Sequence, residues 1–109
     1  MAETLKVLGQ SAPAATTEAG IYAVPAAKTC TVSSITVCNR STTSGSFRIS
    51  VAVAGAVTSN SQYLYYDQVL DGNSTYTATL GITLSATDVI RVYASSANFS
   101  FNVFGVEVG

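Results

Sequence analysis

The side chains able to do chemistry are few and scattered. The carboxylates are Glu3, Glu18, Asp67, Asp71, Asp88 and Glu107. Asp67 and Asp71 flank Gln68-Val69-Leu70 and are near enough in sequence to pair for acid–base work or to bind Ca²⁺, although aspartates beside a turn more often serve the turn itself. The chain has no histidine and no tryptophan, which removes the commonest general base and the commonest neutral metal ligand. Cys30 and Cys38 therefore have no imidazole to activate them as nucleophiles. Neither a Gly-x-Ser-x-Gly elbow nor a phosphate-cradling glycine loop occurs. With no candidate catalytic residue, the expectation is a protein without enzymatic activity, metal or cofactor.

The conspicuous cluster is aromatic: Tyr63-Leu64-Tyr65-Tyr66-Asp67. Strict strand alternation puts Tyr63, Tyr65 and Asp67 on one face and Leu64 and Tyr66 on the other. One face then packs on a core, and the other offers a flat aromatic strip that could stack on sugar rings or anchor a protein interface. Aromatic side chains shielding the rim of a core are the alternative. Tyr63 and Tyr65 are the candidate interface residues of this segment.

These residues must be positioned by strands, because the apolar pattern has a period of two. In Ser46–Ala54, Phe47, Ile49, Val51 and Val53 alternate with Ser46, Arg48, Ser50 and Ala52. The same pattern sets Ile90 and Val92 against Arg91 and Tyr93, and Phe99, Phe101 and Val103 against Ser100, Asn102 and Phe104. Weaker strands fall at Thr4–Leu8, Gly20–Val24, Thr29–Val37, Gln62–Val69 and Thr75–Leu84, which gives about eight strands separated by polar turns. Asp71-Gly72 is the sharpest turn signal and predicts a tight hairpin. The expected fold is all-β: a single antiparallel β-sandwich domain over residues 1–109, with a jelly roll as one possible arrangement. Phe47, Ile49, Val51, Ile90, Val92, Phe99, Phe101 and Val103 form its expected core, and residues 11–19 read as an extended arm or a loop.

The segment Asn98–Val108 carries apolar residues on both faces, since Phe104 lies opposite Phe99 and Phe101 unless a bulge near Gly105 shifts the register. A strand apolar on both sides has to be covered on both sides. Phe104 and Val106 are therefore the other candidate interface residues, and a neighbouring subunit is the expected cover. Sandwich edges with few lysines or prolines to blunt them point the same way, to a homo-oligomer with a trimer favoured.

Charged residues are 10% of the chain, against roughly 25% in ordinary soluble domains. Such a surface is either coated with serine and threonine or covered by partners, where charge is depleted. Lys6, Lys28, Arg40, Arg48 and Arg91 are dispersed and the net charge is −1, so no direct nucleic-acid binding is expected. The N-terminal residues lack a basic n-region and an apolar h-region, and no apolar run reaches the ~20 residues that span a bilayer, so synthesis in a cytoplasm is expected, with no membrane partner. Cys30 and Cys38 are eight residues apart; in one continuous strand they would sit about 26 Å apart on the same face, reduced and unbridged unless the chain turns tightly at Ser33-Ser34. Asn39, Asn73 and Asn98 match the glycan-acceptor pattern, which a chain rich in serine and threonine produces by chance.

Taken together, the stretches LKVLGQSAPAATT, IYAVPAAKTCTVSSITVCNRS, FRISVAVAGA, YYDQVLDGNSTYTATLGITLSATDVIRVYAS and FSFNVFGVEV resemble small virion proteins of tailed bacteriophages, including cyanophages. The resemblance covers nearly the whole chain and lies in strand-and-turn pattern, with no chemical motif. It implies a β-sandwich added to the phage particle: a capsid cement protein, trimeric where capsomers meet, assembled in the host cytoplasm and partnered by the major capsid protein or other virion proteins. Tail, neck and fibre-associated sandwiches, some of which could bind host carbohydrate, are the alternative that the resemblance leaves open.

Overall fold

The computed structural model describes residues 2–109. Its strands are β1 (Glu3–Ser11), β2 (Ala19–Ala23), β3 (Thr29–Asn39), β4 (Gly45–Ala52), β5 (Tyr63–Leu70), β6 (Thr75–Ala78), β7 (Ile82–Leu84), β8 (Val89–Ala94) and β9 (Phe99–Val108), with short 3-10 turns at Val53–Gly55 and Asn60–Gln62. Alternation is what makes them strands. Every second side chain of β8 and β9 is buried, so each strand turns one apolar face inward and leaves the other outward.

Two antiparallel sheets result. Sheet I runs β1-β9-β3-β6, with β7 also paired to β3, and sheet II runs β2-β8-β4-β5. The first strand pairs with the last, β2 with β8, β3 with β6 and β7, and β4 with β5. The chain is one long antiparallel ribbon folded near Val53–Gln62 and rolled so that its successive layers fall in alternate sheets, which is the jelly-roll arrangement.

One core lies between the sheets. Phe47, Ile49, Ile90, Val92, Phe99, Phe101 and Val103 are at most 1% exposed, as expected, and Val51 packs partly buried against the same cluster. Phe47 sits among four rings, with centroid distances of 5.8 Å to Tyr76, 5.9 Å to Tyr65, 6.2 Å to Phe101 and 6.4 Å to Phe99. Two buried polar groups stitch the layers. Asn39 donates its amide to the carbonyls of Thr43 (2.9 Å) and Leu70 (3.1 Å) and accepts from Ser41, so this sequon's nitrogen is committed inside the protein. Tyr22 of sheet II donates its hydroxyl to Glu107 of sheet I at 2.6 Å.

Local backbone chemistry changes several expectations. Thr75–Leu84 is two strands, because the chain breaks at Gly81, whose φ is +61°. Asp71-Gly72 makes no hairpin: it carries the chain from β5 in sheet II to β6 in sheet I. The left-handed residue there is Asn73 (φ 54°), and Gly72 is needed because a Cβ would strike the Thr42 carbonyl. β3 is continuous but bulged at Ser33, with Val32 opposite Gly105 and Ser34 opposite Phe104. That extra residue reverses the parity, so Cys30 is buried inside and Cys38 is half-buried on the outer side, both as free thiols.

The edges are blunted after all, by irregularity and not by lysine or proline. β1 bulges at Leu8, β2 at Ile21 and β5 twice, and the β6–β7 edge is interrupted. Unprotected edges therefore no longer argue for association. Residues 11–19 form no free arm. Ser11 and Ala19 belong to β1 and β2, Pro13 is buried, and Thr16 N–H bonds the Ala94 carbonyl at 2.8 Å.

Candidate functional site

The two outward faces carry the candidate residues. On sheet I, β9 alternates without interruption from Phe99 to Val108, and the bulges that keep the register lie in its neighbours, at Leu8 and Ser33. Phe104 and Val106 consequently sit half-buried on the outer side, as the sequence led us to expect. Val7 pairs with Phe104 and Leu5 with Val106, and partners directly across an antiparallel ladder share a face. Leu5 is 80% exposed and Val7 48%. Beyond this apolar strip the pairing lines up Thr31, Thr36, Thr77, Thr75 and Thr83. Glu3, opposite Val108, is the charge at the end of the strip.

Sheet II is different. In β5, Gln68 faces Phe47 and Tyr65 faces Ile49, which leaves Tyr66 and Asp67 together opposite Arg48. Asp67 makes this bulge with a φ of 52°, a conformation that Asp and Asn tolerate better than most side chains. Its carboxylate accepts from Arg48 Nε at 2.7 Å and Nη2 at 3.3 Å. The same guanidinium lies between two rings, 4.2 Å from the centroid of Tyr66 and 4.3 Å from that of Tyr93.

A second bulge, at Leu64, separates Tyr63 from Tyr65. The two tyrosines expected to share a face therefore do not. Tyr65 turns to the core, packs on Phe47 and joins its hydroxyl to that of Tyr76 at 3.2 Å; this bond, with burial, pushes its phenol up to about 12. Tyr63 instead meets Tyr66 edge-to-face, with centroids 4.8 Å apart and planes at 77°. The two rings and Asn60 line a cleft of about 350 Å³. Arg91 of β8 holds the Val53–Gln62 loop beside it, donating to the carbonyls of Gly55 (3.1 Å) and Ala56 (2.7 Å) and to Thr58 Oγ1 (3.0 Å). Gln62 closes the loop on itself with a bond to the Val57 carbonyl at 3.0 Å.

Sequence reasoning thus missed Tyr66, Asn60, Arg48, Arg91 and Tyr93 as parts of one surface. Arg48 and Tyr93 were legible as outward residues of alternating strands. Nothing in the pattern announced the bulges that bring Tyr66 round to them.

Several other titratable groups are tied into the fold. Asp71 is exposed in the crossover, and Asp67 is held by Arg48, so the two do not converge. Asp88 accepts from the N–H groups of Ala54 and Ser85, each at 2.9 Å. Glu107, 4% exposed, is bonded by Tyr22 and flanked by Lys6 at 3.2 Å and Lys28 at 3.8 Å; the Tyr22 hydroxyl first, and then the lysines, hold its carboxyl below the usual range. Burial pushes the nearby Cys30 thiol up, away from the reactive thiolate. Among the described residues no three Cys, Asp or Glu side chains gather where a metal ion could sit, and no helix is long and apolar enough to cross a membrane. No protein-family model, curated protein or solved structure matches this chain.

Proposed function

We propose that this chain is a non-enzymatic structural protein of a virion, a capsid cement protein of a tailed bacteriophage that binds the shell through protein–protein contacts and associates as a homotrimer. The observation that carries the reading is the outer face of sheet I, where Leu5, Val7, Phe104 and Val106 form an apolar strip beside a carpet of threonines. Exposed contiguous apolar surface with charge at its margin is what a protein interface looks like before its partner arrives. The jelly roll supports the reading by analogy, since viral capsid and lectin domains use it, though a fold by itself names no function. Shell binding needs no strong single site, because a protein that bridges several subunits gains through effective concentration. A tail- or fibre-associated position is the second reading, and the aromatic cleft on sheet II is what favours it.

Light scattering on the purified chain at micromolar concentration, with a cryo-EM reconstruction of the particle, tests the proposal. The expected result is a trimer that the paired change Phe104→Ser and Val106→Ser dissociates into folded monomers, and density for the chain on the capsid surface. A monomer whose paired variant still decorates capsids, or density confined to the tail, would overturn the cement assignment.

A further inference from the structure

We infer that the corner formed by Asn60, Tyr63 and Tyr66 is a binding site for an uncharged saccharide, one or two pyranose rings in size. The inference stands apart from the shell-binding reading and uses the opposite face of the molecule. Two tyrosine rings meet there at 77° with centroids 4.8 Å apart, so a ligand resting on one ring is bounded by the other. The cleft of about 350 Å³ is at the small end of the ~300–1,000 Å³ found for ligand sites, which suits a mono- or disaccharide. Sugar rings present C–H faces and a rim of hydroxyls. Tyrosine offers an apolar face with a polar tip, and Asn60 adds an amide able both to donate and to accept.

Charge selects the class further. Arg48 is neutralised by both carboxylate oxygens of Asp67, and Arg91 is spent on the Gly55 and Ala56 carbonyls and Thr58. The three lining side chains carry no charge, and the one carboxylate bonded to the loop, Glu18, which accepts from Thr58 Oγ1, would repel an acidic sugar or a phosphate. The corner is also built before any ligand comes. Arg48 stacks on Tyr66, the Asp67 bulge aims that ring outward, and Arg91 and Gln62 fix the loop that carries Asn60. Fixing the groups in advance removes part of the ordering cost of binding.

The test is a glycan array probed with the full chain, followed by calorimetric titration of the best neutral hit into the wild type and into Tyr66→Ala, Tyr63→Ala and, as a control on the same strand outside the bulges, Val69→Ala. Saturable binding in the high-micromolar to millimolar range is expected, weakened more than tenfold in either tyrosine variant and unchanged in Val69→Ala. Tyr66→Phe, which keeps the ring, should lose only a few-fold, and thermal melts establish that each variant is folded. Binding to acidic glycans alone, no saturable binding to any neutral glycan, or equal affinity in folded Tyr66→Ala would overturn the assignment.

Discussion

On sheet I, Leu5, Val7, Phe104 and Val106 lie side by side along the unbulged strand β9, with threonines of β3, β6 and β7 beyond them, whereas on sheet II Arg48, Tyr93, Tyr66 and Asp67 gather at the twice-bulged strand β5. The two faces share one core and differ in where their bulges fall: at Leu8 and Ser33, in the neighbours of β9, on sheet I, and at Leu64 and Tyr66-Asp67, within the aromatic cluster itself, on sheet II. A regular run of strand spaces side chains evenly and makes a broad, flat face. A bulge turns two successive side chains the same way, and here it concentrates Tyr66 and Asp67 on Arg48 at one spot. Flatness suits a protein partner and a corner suits a small ligand.

The largest expected effect removes the comparison altogether. Phe47 belongs to sheet II but packs on Phe99 and Phe101 of sheet I, so Phe47→Ala should open a cavity beneath both faces. The cost should be about 3–5 kcal/mol, a large share of the ~5–15 kcal/mol that holds a domain of this size. Chemical denaturation followed by circular dichroism measures it. Loss of less than about 1 kcal/mol would mean that the sheets are stabilised separately and that their faces can be treated as independent.

Next comes the polar bond between the layers. Tyr22→Phe deletes the hydroxyl that donates to the buried Glu107 carboxylate, and a hydrogen bond to a charged group contributes about 1.5–3 kcal/mol. The effect should depend on pH with a definite sign. Glu107 titrates below its unfolded value of ~4.3 when folded, so its contribution is complete above that value and is lost as pH falls through the folded pKa. Wild type and Tyr22→Phe should therefore differ most near neutral pH and converge in acid. Denaturation midpoints between pH 2 and 7 would show it, and parallel curves would sink the idea.

Asp67→Ala should act on sheet II alone. It removes an exposed ion pair and leaves alanine in a left-handed conformation, which together should cost about 1 kcal/mol, read as a drop of roughly 4–8 °C in melting temperature. Saccharide affinity should fall with it, since Tyr66 loses its aim. The oligomeric state, which the proposal assigns to sheet I, should not change; if it does, the faces are coupled through β4.

How far these features could be read in advance follows the same divide. Where alternation ran unbroken, as from Phe99 to Val108, strand, core and outward residues were all legible, Phe104 and Val106 included. Where one residue was inserted, everything downstream changed face, because the side-chain period is two. Ser33 moved Cys38 away from the side of Cys30, and Leu64 with Tyr66-Asp67 separated Tyr63 from Tyr65. The split at Gly81 and the crossover at Asp71-Gly72 were hidden for another reason. Turn chemistry marks that a chain bends, but only the partner across the sheet decides whether it returns beside itself or crosses to the other layer. The cleft was illegible because Asn60, Tyr66 and Arg48 come together through two bulges and a loop held by Arg91, none of which leaves a periodic trace.

The smallest expected effect on stability gives the sharpest test of the comparison. Leu5 is 80% exposed on the outer strip of sheet I, and Leu5→Thr replaces it with the residue type that carpets the rest of that face. It removes no buried contact and leaves the ladder intact, and threonine suits a strand at least as well, so the folded monomer should change by less than about 0.5 kcal/mol. If the face serves only to keep the chain in solution, nothing further should happen. If it is a protein interface, the same change removes apolar area that only a partner would bury, and association measured by sedimentation should weaken at least several-fold. A matched Leu64→Thr on sheet II, where the side chain is 44% exposed, supplies the control. Weakened association in the first variant and none in the second would assign assembly to sheet I; equal behaviour would show that exposed leucine, and not the particular face, drives the chains together.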